Sequence, residues 1–150
     1  MKKIVSYMMT GILLLSFLLT GCGSPEPQTG KKMSMYYINT AETKVEVHEQ
    51  YLNTKTLDEQ LDETMRYLST TPEKLEYKAP LDMGFRVLDY EVEDGKLLIN
   101  VDKAYSELSP TTEVLVRAAI VRTLTQLPNV KYVGITVEDS QFRIRLVYVD

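Results

Sequence analysis

Residues 85–101 read FRVLDYEVEDGKLLINV, and the fold turns on this stretch. Asp94-Gly95 separates two runs rich in β-branched, aromatic and leucine side chains. The dipeptide favours a tight type I′ turn, in which both central residues take positive φ. The pattern predicts strands over 85–92 and 96–101. Leu88, Tyr90 and Val92 share one face of the first arm, and Leu97, Ile99 and Val101 share one face of the second. A hairpin of this kind has one apolar face that a helix or a second sheet must cover.

The cover is expected downstream. Ser109 is a natural N-cap, Pro110 suits the first helical position, and Glu113 lies in the first turn. Residues 114–127 are apolar over most of the helical circumference, interrupted mainly by Arg117, Arg122, Thr123, Thr125 and Gln126. Such a helix needs partners on more than one side, and Pro128 stops it. Tyr132–Val137 and Phe142–Val149 alternate apolar and polar residues and form a last strand pair across Glu138-Asp139-Ser140-Gln141.

Upstream, residues 73–83 read as irregular. Thr56 and Glu59 have capping-box spacing, and Leu57, Leu61, Met65 and Leu68 fall on one face of a short helix. Two strands precede it, over Met33–Ile38 and Lys44–Tyr51. Asn39–Glu42 forms their turn, and Val45, Val47 and Tyr51 are the apolar face of the second strand. The element order is ββαββαββ. It gives an α/β (α+β) fold in which a mixed, largely antiparallel sheet packs against two helices.

The domain spans residues 33–150. Ahead of it, residues 22–32 are Cys22 followed by GSPEPQTGKK, a linker without a large apolar side chain. Its ten residues after the cysteine span roughly 17 Å as a flexible coil and about 35 Å fully extended. Residues 1–21 begin Met1-Lys2-Lys3, continue with an uncharged, nearly apolar run over 4–19, and end Leu19-Thr20-Gly21 before Cys22. The run is slightly short for a membrane span and fits the core of a secretory signal. Charge, core and box together resemble a bacterial lipoprotein signal. That resemblance makes Cys22 the first residue of the mature chain, acylated (palmitate) at sulfur and at the amine. Each buried methylene then adds about 0.8 kcal/mol of membrane affinity. The alternative is an uncleaved signal anchor with a chance cysteine.

Composition supports this division. The chain has 17 Lys+Arg against 21 Asp+Glu over 150 residues, a net charge of −4. An acidic balance argues against a general nucleic-acid binder. Residues 1–21 contain no acid, so their removal leaves a still more acidic domain. A single cysteine excludes an internal disulfide and a zinc site built from several thiolates.

Catalytic chemistry finds little support. His48 is the only histidine, within HEQYL, and it lacks the second histidine of a helical zinc motif. Asp58/Asp62 and Glu59/Glu63 sit one helical turn apart and read as a solvated flank. Asp102 closes an apolar strand and reads as a strand-end cap. No nucleophile elbow or phosphate-cradling glycine loop is present. The expectation is therefore no catalytic residue, no cofactor and no metal. Tyr36, Tyr37, Tyr51, Tyr67, Tyr77 and Tyr105 admit two readings: a contact surface for sugar or protein, or the rim of a modest core.

From residue 33 onward the chain resembles the GerMN domain of sporulation and spore-germination lipoproteins. The resemblance rests on Asp94-Gly95, Val101-Asp102, the helix from Val116 through Ala118-Ala119-Ile120-Val121 and Thr123-Leu124-Thr125 to Pro128, and Val130-Lys131-Tyr132-Val133. Ser69–Pro72 and Pro80–Gly84 stand where family members often carry K-G-P and P-x-G-T. The family is similar to ring-building modules of sporulation secretion complexes, and it brings no catalytic residues. The resemblance implies a lipid-anchored protein on the extracytoplasmic face of a Gram-positive cell membrane. It would act as a non-catalytic interaction module in an envelope, sporulation or germination assembly, with an envelope protein or a second copy as partner. The other reading is a peptidoglycan-binding module.

Overall fold

The structure, a computed structural model, describes residues 30–72 and 76–138. In chain order the elements are β1 (Lys31–Asn39), β2 (Val45–Leu52), α1 (Leu57–Leu68), β3 (Tyr77–Lys78), β4 (Val87–Glu93), β5 (Lys96–Val101), a 3-10 turn (Lys103–Glu107), α2 (Pro110–Leu124) and β6 (Tyr132–Val137). The expected order is present as far as β6, with β3 added inside the segment read as irregular. The expected strand Phe142–Val149 lies outside the described residues, as do the signal segment, Cys22 and nearly all of the linker.

The strands divide between two three-stranded sheets. One is ordered β2-β1-β3 and is antiparallel throughout. The other is ordered β4-β5-β6, with β4–β5 antiparallel and β5–β6 parallel. The parallel pair needs a crossover, and α2 supplies it. Asp94 and Gly95 have φ of 48° and 81°, as a type I′ turn requires. The Gly95 carbonyl accepts from the N–H groups of Lys131 and Tyr132 at 2.8 and 3.1 Å, which docks the hairpin tip on the start of β6.

Both helices begin as their sequences dictate. Thr56 Oγ1 accepts from the Glu59 N–H at 3.3 Å, and the Glu59 carboxylate accepts from the Thr56 N–H at 3.2 Å. Ser109 Oγ accepts from the Thr112 N–H at 3.1 Å, with Pro110 in the first turn. Leu61, Met65 and Leu68 are buried and Leu57 is half-buried, while Gln60 and Thr64 are also buried. In α2, Val116 and the run Ala119–Val121, Thr123 and Leu124 are buried, so neighbours cover more than one side. Val114, near its start, is exposed.

The core joins Leu97, Ile99 and Val101 of β5 to Met35 and Ile38 of β1 and Ile120 of α2, all fully buried. The expected core face of β4 needs one correction. Leu88 is 49% exposed, because the β4–β5 register slips between Val87 and Asp89. The bulge places one extra residue in β4 and breaks the alternation. Val87 packs against the core in place of Leu88, alongside Tyr90 and Val92 as expected.

Candidate interaction surface

β1 is hydrogen-bonded along both edges, by different kinds of partner. On one side it pairs with β2 from Lys31↔Leu52 to Ile38↔Val45. On the other, α2 and the turn after it offer side chains. The Ser34 N–H donates to Gln126 Oε1 at 3.0 Å, and Gln126 Nε2 donates back to the Ser34 carbonyl at 2.7 Å. The Tyr36 N–H donates to Thr123 Oγ1 at 3.0 Å. The backbone of Ser34 and Tyr36 thus points away from β2. In an antiparallel ladder, the residues opposite such positions point their own backbone groups outward. Those residues are Glu49 and Val47. Among the described residues β2 is therefore an edge strand, and no backbone partner meets its outer side.

The faces of this sheet differ. Met33, Met35 and Tyr37 point towards α1, where Thr64 Oγ1 lies 3.8 Å from Met33 Sδ and the Tyr37 hydroxyl 3.5 Å from the Tyr67 carbonyl. By alternation, the opposite face presents Tyr36 beside Val47, Ser34 beside Glu49 and Lys32 beside Tyr51. Val47 is 56% exposed, and Tyr36 and Tyr51 are half-buried. The Arg122 guanidinium lies 5.7 Å from the centre of the Tyr36 ring, and Lys32 Nζ lies 2.8 Å from the Glu49 carboxylate. An aromatic and aliphatic centre with a charged rim is the anatomy of a protein contact.

The residues considered for chemistry are dispersed. His48 is half-buried in β2 opposite Met35, and no group of three or more His, Cys, Asp and Glu able to hold a metal forms among the described residues. The helical acids serve the fold. Glu59 closes the capping box, and Glu63 accepts from the Asn53 N–H at 3.2 Å and the Thr54 hydroxyl at 2.9 Å. Asp62 accepts from the Tyr90 hydroxyl at 2.7 Å. Asp102 accepts from the Arg86 N–H at 3.2 Å and from its Nε at 3.1 Å. The backbone bond first, and the guanidinium after it, hold the Asp102 carboxyl below the usual carboxylate range, so it is a charged clasp. No described tyrosine is exposed. Tyr37 and Tyr105 are buried and the others half-buried, which favours the core-rim reading for most of them, with Tyr36 and Tyr51 contributing only part of their rings to the β1–β2 face.

Sequence reading missed two features. Thr123 and Gln126 looked like polar interruptions of an apolar helix, yet they close one edge of β1. Their only signal was polarity where burial was expected. Glu42 joins three elements: its carboxylate accepts from Lys78 Nζ at 2.5 Å and from the Thr112 hydroxyl at 2.8 Å. The Lys78 bond, then that of Thr112, lowers its pKa.

Comparison with known proteins now bears on this architecture. The family model Germane, described as sporulation and spore germination, matches residues 34–142. The chain belongs to this family. The first GerMN domain of the sporulation protein GerM from Bacillus subtilis is similar in fold, with a TM-score of 0.55 at 14% identity over 73% of this chain and 84% of that one. The tandem GerMN domains of the same protein give a TM-score of 0.53 at 18% identity, covering 80% of this chain and 43% of that one. No curated protein matches. In this Germane domain the resembling residues hold the fold together. Asp94-Gly95 turns the hairpin, Asp102 clasps Arg86 at the end of β5, and the helix through Thr123 closes β1.

Proposed function

We propose that this Germane domain is a non-catalytic protein-interaction module of an envelope, sporulation or germination assembly. It is held by lipid on Cys22 at the extracytoplasmic face of the membrane of a Gram-positive cell. Its contact surface is the outer face of β1–β2 with the adjoining free edge of β2. One observation carries the choice of surface: an exposed valine, Val47, sits beside Tyr36 on a strand whose outer edge meets no backbone partner among the described residues. The lipoprotein signal ending at Cys22 supports the anchor. Among the described residues no helix is long and apolar enough to cross a membrane.

Two experiments test this. Radiolabelled palmitate should enter the wild-type chain and not the Cys22→Ala variant; equal labelling removes the anchor. Crosslinking in intact membranes should recover a protein partner with the wild type, and less with Tyr36→Ser/Val47→Ser. Equal recovery from both removes this surface. Peptidoglycan fragments in place of protein would move it to glycan binding.

A further inference from the structure

We propose that two copies of this chain pair through the outer edges of β2, antiparallel about a two-fold axis at Val47. The proposal rests on the β1–β2 face being a contact surface and names its occupant as a second copy.

The strand edges of the molecule are treated differently. The side of β1 away from β2 is closed by Gln126, Thr123 and the short β3. β4 carries a bulge at Leu88, a common device against strand addition. β2 has neither a bulge nor a proline. Its register with β1 is unbroken from Leu52 to Val45, and the outward-directed residue at its middle is Val47, 56% exposed. A long, regular edge with an apolar centre can accept another strand.

Charge selects both occupant and register. A strand added antiparallel must set outward-directed residues opposite outward-directed residues, so self-pairing can shift only in steps. Centring on Val47 puts Val47 against its symmetry mate and Val45 against Glu49. It also sets the Glu46 carboxylate, which already holds Lys44 of its own chain through one oxygen, against the His48 imidazole, once on each side of the axis. A centre at Glu46 or at Glu49 would oppose two identical carboxylates, which is unfavourable. A centre at His48 would face Val47 with Glu49 and leave each histidine against its own mate. In the Val47 register, Val45–Glu49 and Val47–Val47 exchange backbone bonds, and the two β2-β1-β3 sheets join into one. On the outer face, the Tyr36–Val47 pairs of the two copies meet at the seam. One strand from each copy makes a seam smaller than a standard interface, so covalent trapping is the suitable readout.

The experiment uses the full-length chain in membranes, with Val47→Cys. Directly opposed strand residues lie about 5.5 Å apart at Cα, within disulfide range. On oxidation, Val47→Cys should migrate as a dimer, whereas the wild type, with Cys22 alone, and Leu88→Cys on the β4 edge should not. Adding Glu49→Pro should abolish the dimer. That N–H points outward, so the β1–β2 ladder keeps its bonds, and an unchanged circular dichroism spectrum checks the fold. A dimer no more abundant than in Leu88→Cys overturns the proposal, as does a dimer that persists with Glu49→Pro. Trapping of a different protein at residue 47 also overturns self-pairing while leaving the contact-face reading intact. If nothing is trapped and wild-type membranes yield no partner either, both readings fall.

Discussion

The side chain of Gln126 and the backbone of Ser34 form a closed pair of hydrogen bonds, with the amide donating at 2.7 Å and accepting at 3.0 Å. A single glutamine thus does for one residue of β1 what a neighbouring strand would do. Each such bond contributes on the order of 1 kcal/mol net. Gln126→Ala should therefore lower unfolding stability by about 1–2 kcal/mol. Gln126→Glu should also destabilise, because its carboxylate faces the Ser34 carbonyl. Urea denaturation monitored by circular dichroism would check this; a midpoint equal to wild type in both variants would refute the clip.

The bulge in β4 makes two leucine-like positions of the hairpin unequal. Ile99→Ala removes a fully buried side chain and should cost about 2–5 kcal/mol. Leu88→Ser, on the exposed side of the bulge, should change stability by less than about 0.5 kcal/mol. Comparable losses in both would mean that β4 pairs without the slip.

Acid should destabilise the domain through a few identifiable carboxyls. Asp102, Glu42 and Glu59 are held below the usual range by hydrogen bonds from Arg86, from Lys78 and from the Thr56 N–H respectively. In the unfolded chain they titrate near pH 4, so there the unfolded state binds more protons than the folded one. Their stabilisation is complete above that pH and is lost as the pH falls through the lower folded values. Urea midpoints measured from about pH 6 to pH 2 should fall at the acidic end, and less steeply in Asp102→Asn. Parallel profiles in the two proteins would show that the clasp is not linked to folding.

At the alkaline end Tyr90 should stand apart. Burial, and then its hydrogen bond to Asp62, push the hydroxyl up to about 12. The folded chain holds this proton more tightly than the unfolded one. Its stabilising effect is therefore present below the ordinary tyrosine pKa, about 10, and is lost as pH rises through the folded value. Ultraviolet titration should find a late-ionising tyrosine that moves earlier in Asp62→Ala. An unchanged curve in that variant would remove the α1–β4 link.

The legible parts of this fold were those encoded locally. Asp94-Gly95, the Thr56/Glu59 box and Ser109-Pro110 each fix a backbone geometry within a few residues, and each element begins or turns where they predict. The helical face Leu61, Met65 and Leu68 was equally readable. What escaped depends on distant chain. The Leu88 bulge is a property of β4 against β5, and alternation in β4 alone cannot reveal it. Division into two sheets follows from pairing partners, which strand patterns leave open. The edge of β1 is closed by side chains some 90 positions away, so the polarity of Thr123 and Gln126 within an apolar helix could not by itself show which strand they serve. Nor could alternation in β2 foretell the exposure of Val47, which lies on the outermost described strand of its sheet.

β1 is the first strand among the described residues and the middle strand of its sheet. It starts beside Gly30, where a side chain would place its Cβ only 2.3 Å from the Leu52 carbonyl oxygen. A pull applied at residue 30 would therefore act on the centre of the sheet. Tension along that direction loads the eight β1–β2 register pairs in shear, together with the Gln126 and Thr123 contacts on the other flank. Bonds sheared together share the force, whereas a terminal edge strand would peel one bond at a time. A pull entering at β1 therefore meets the central strand of the sheet, where many bonds resist together.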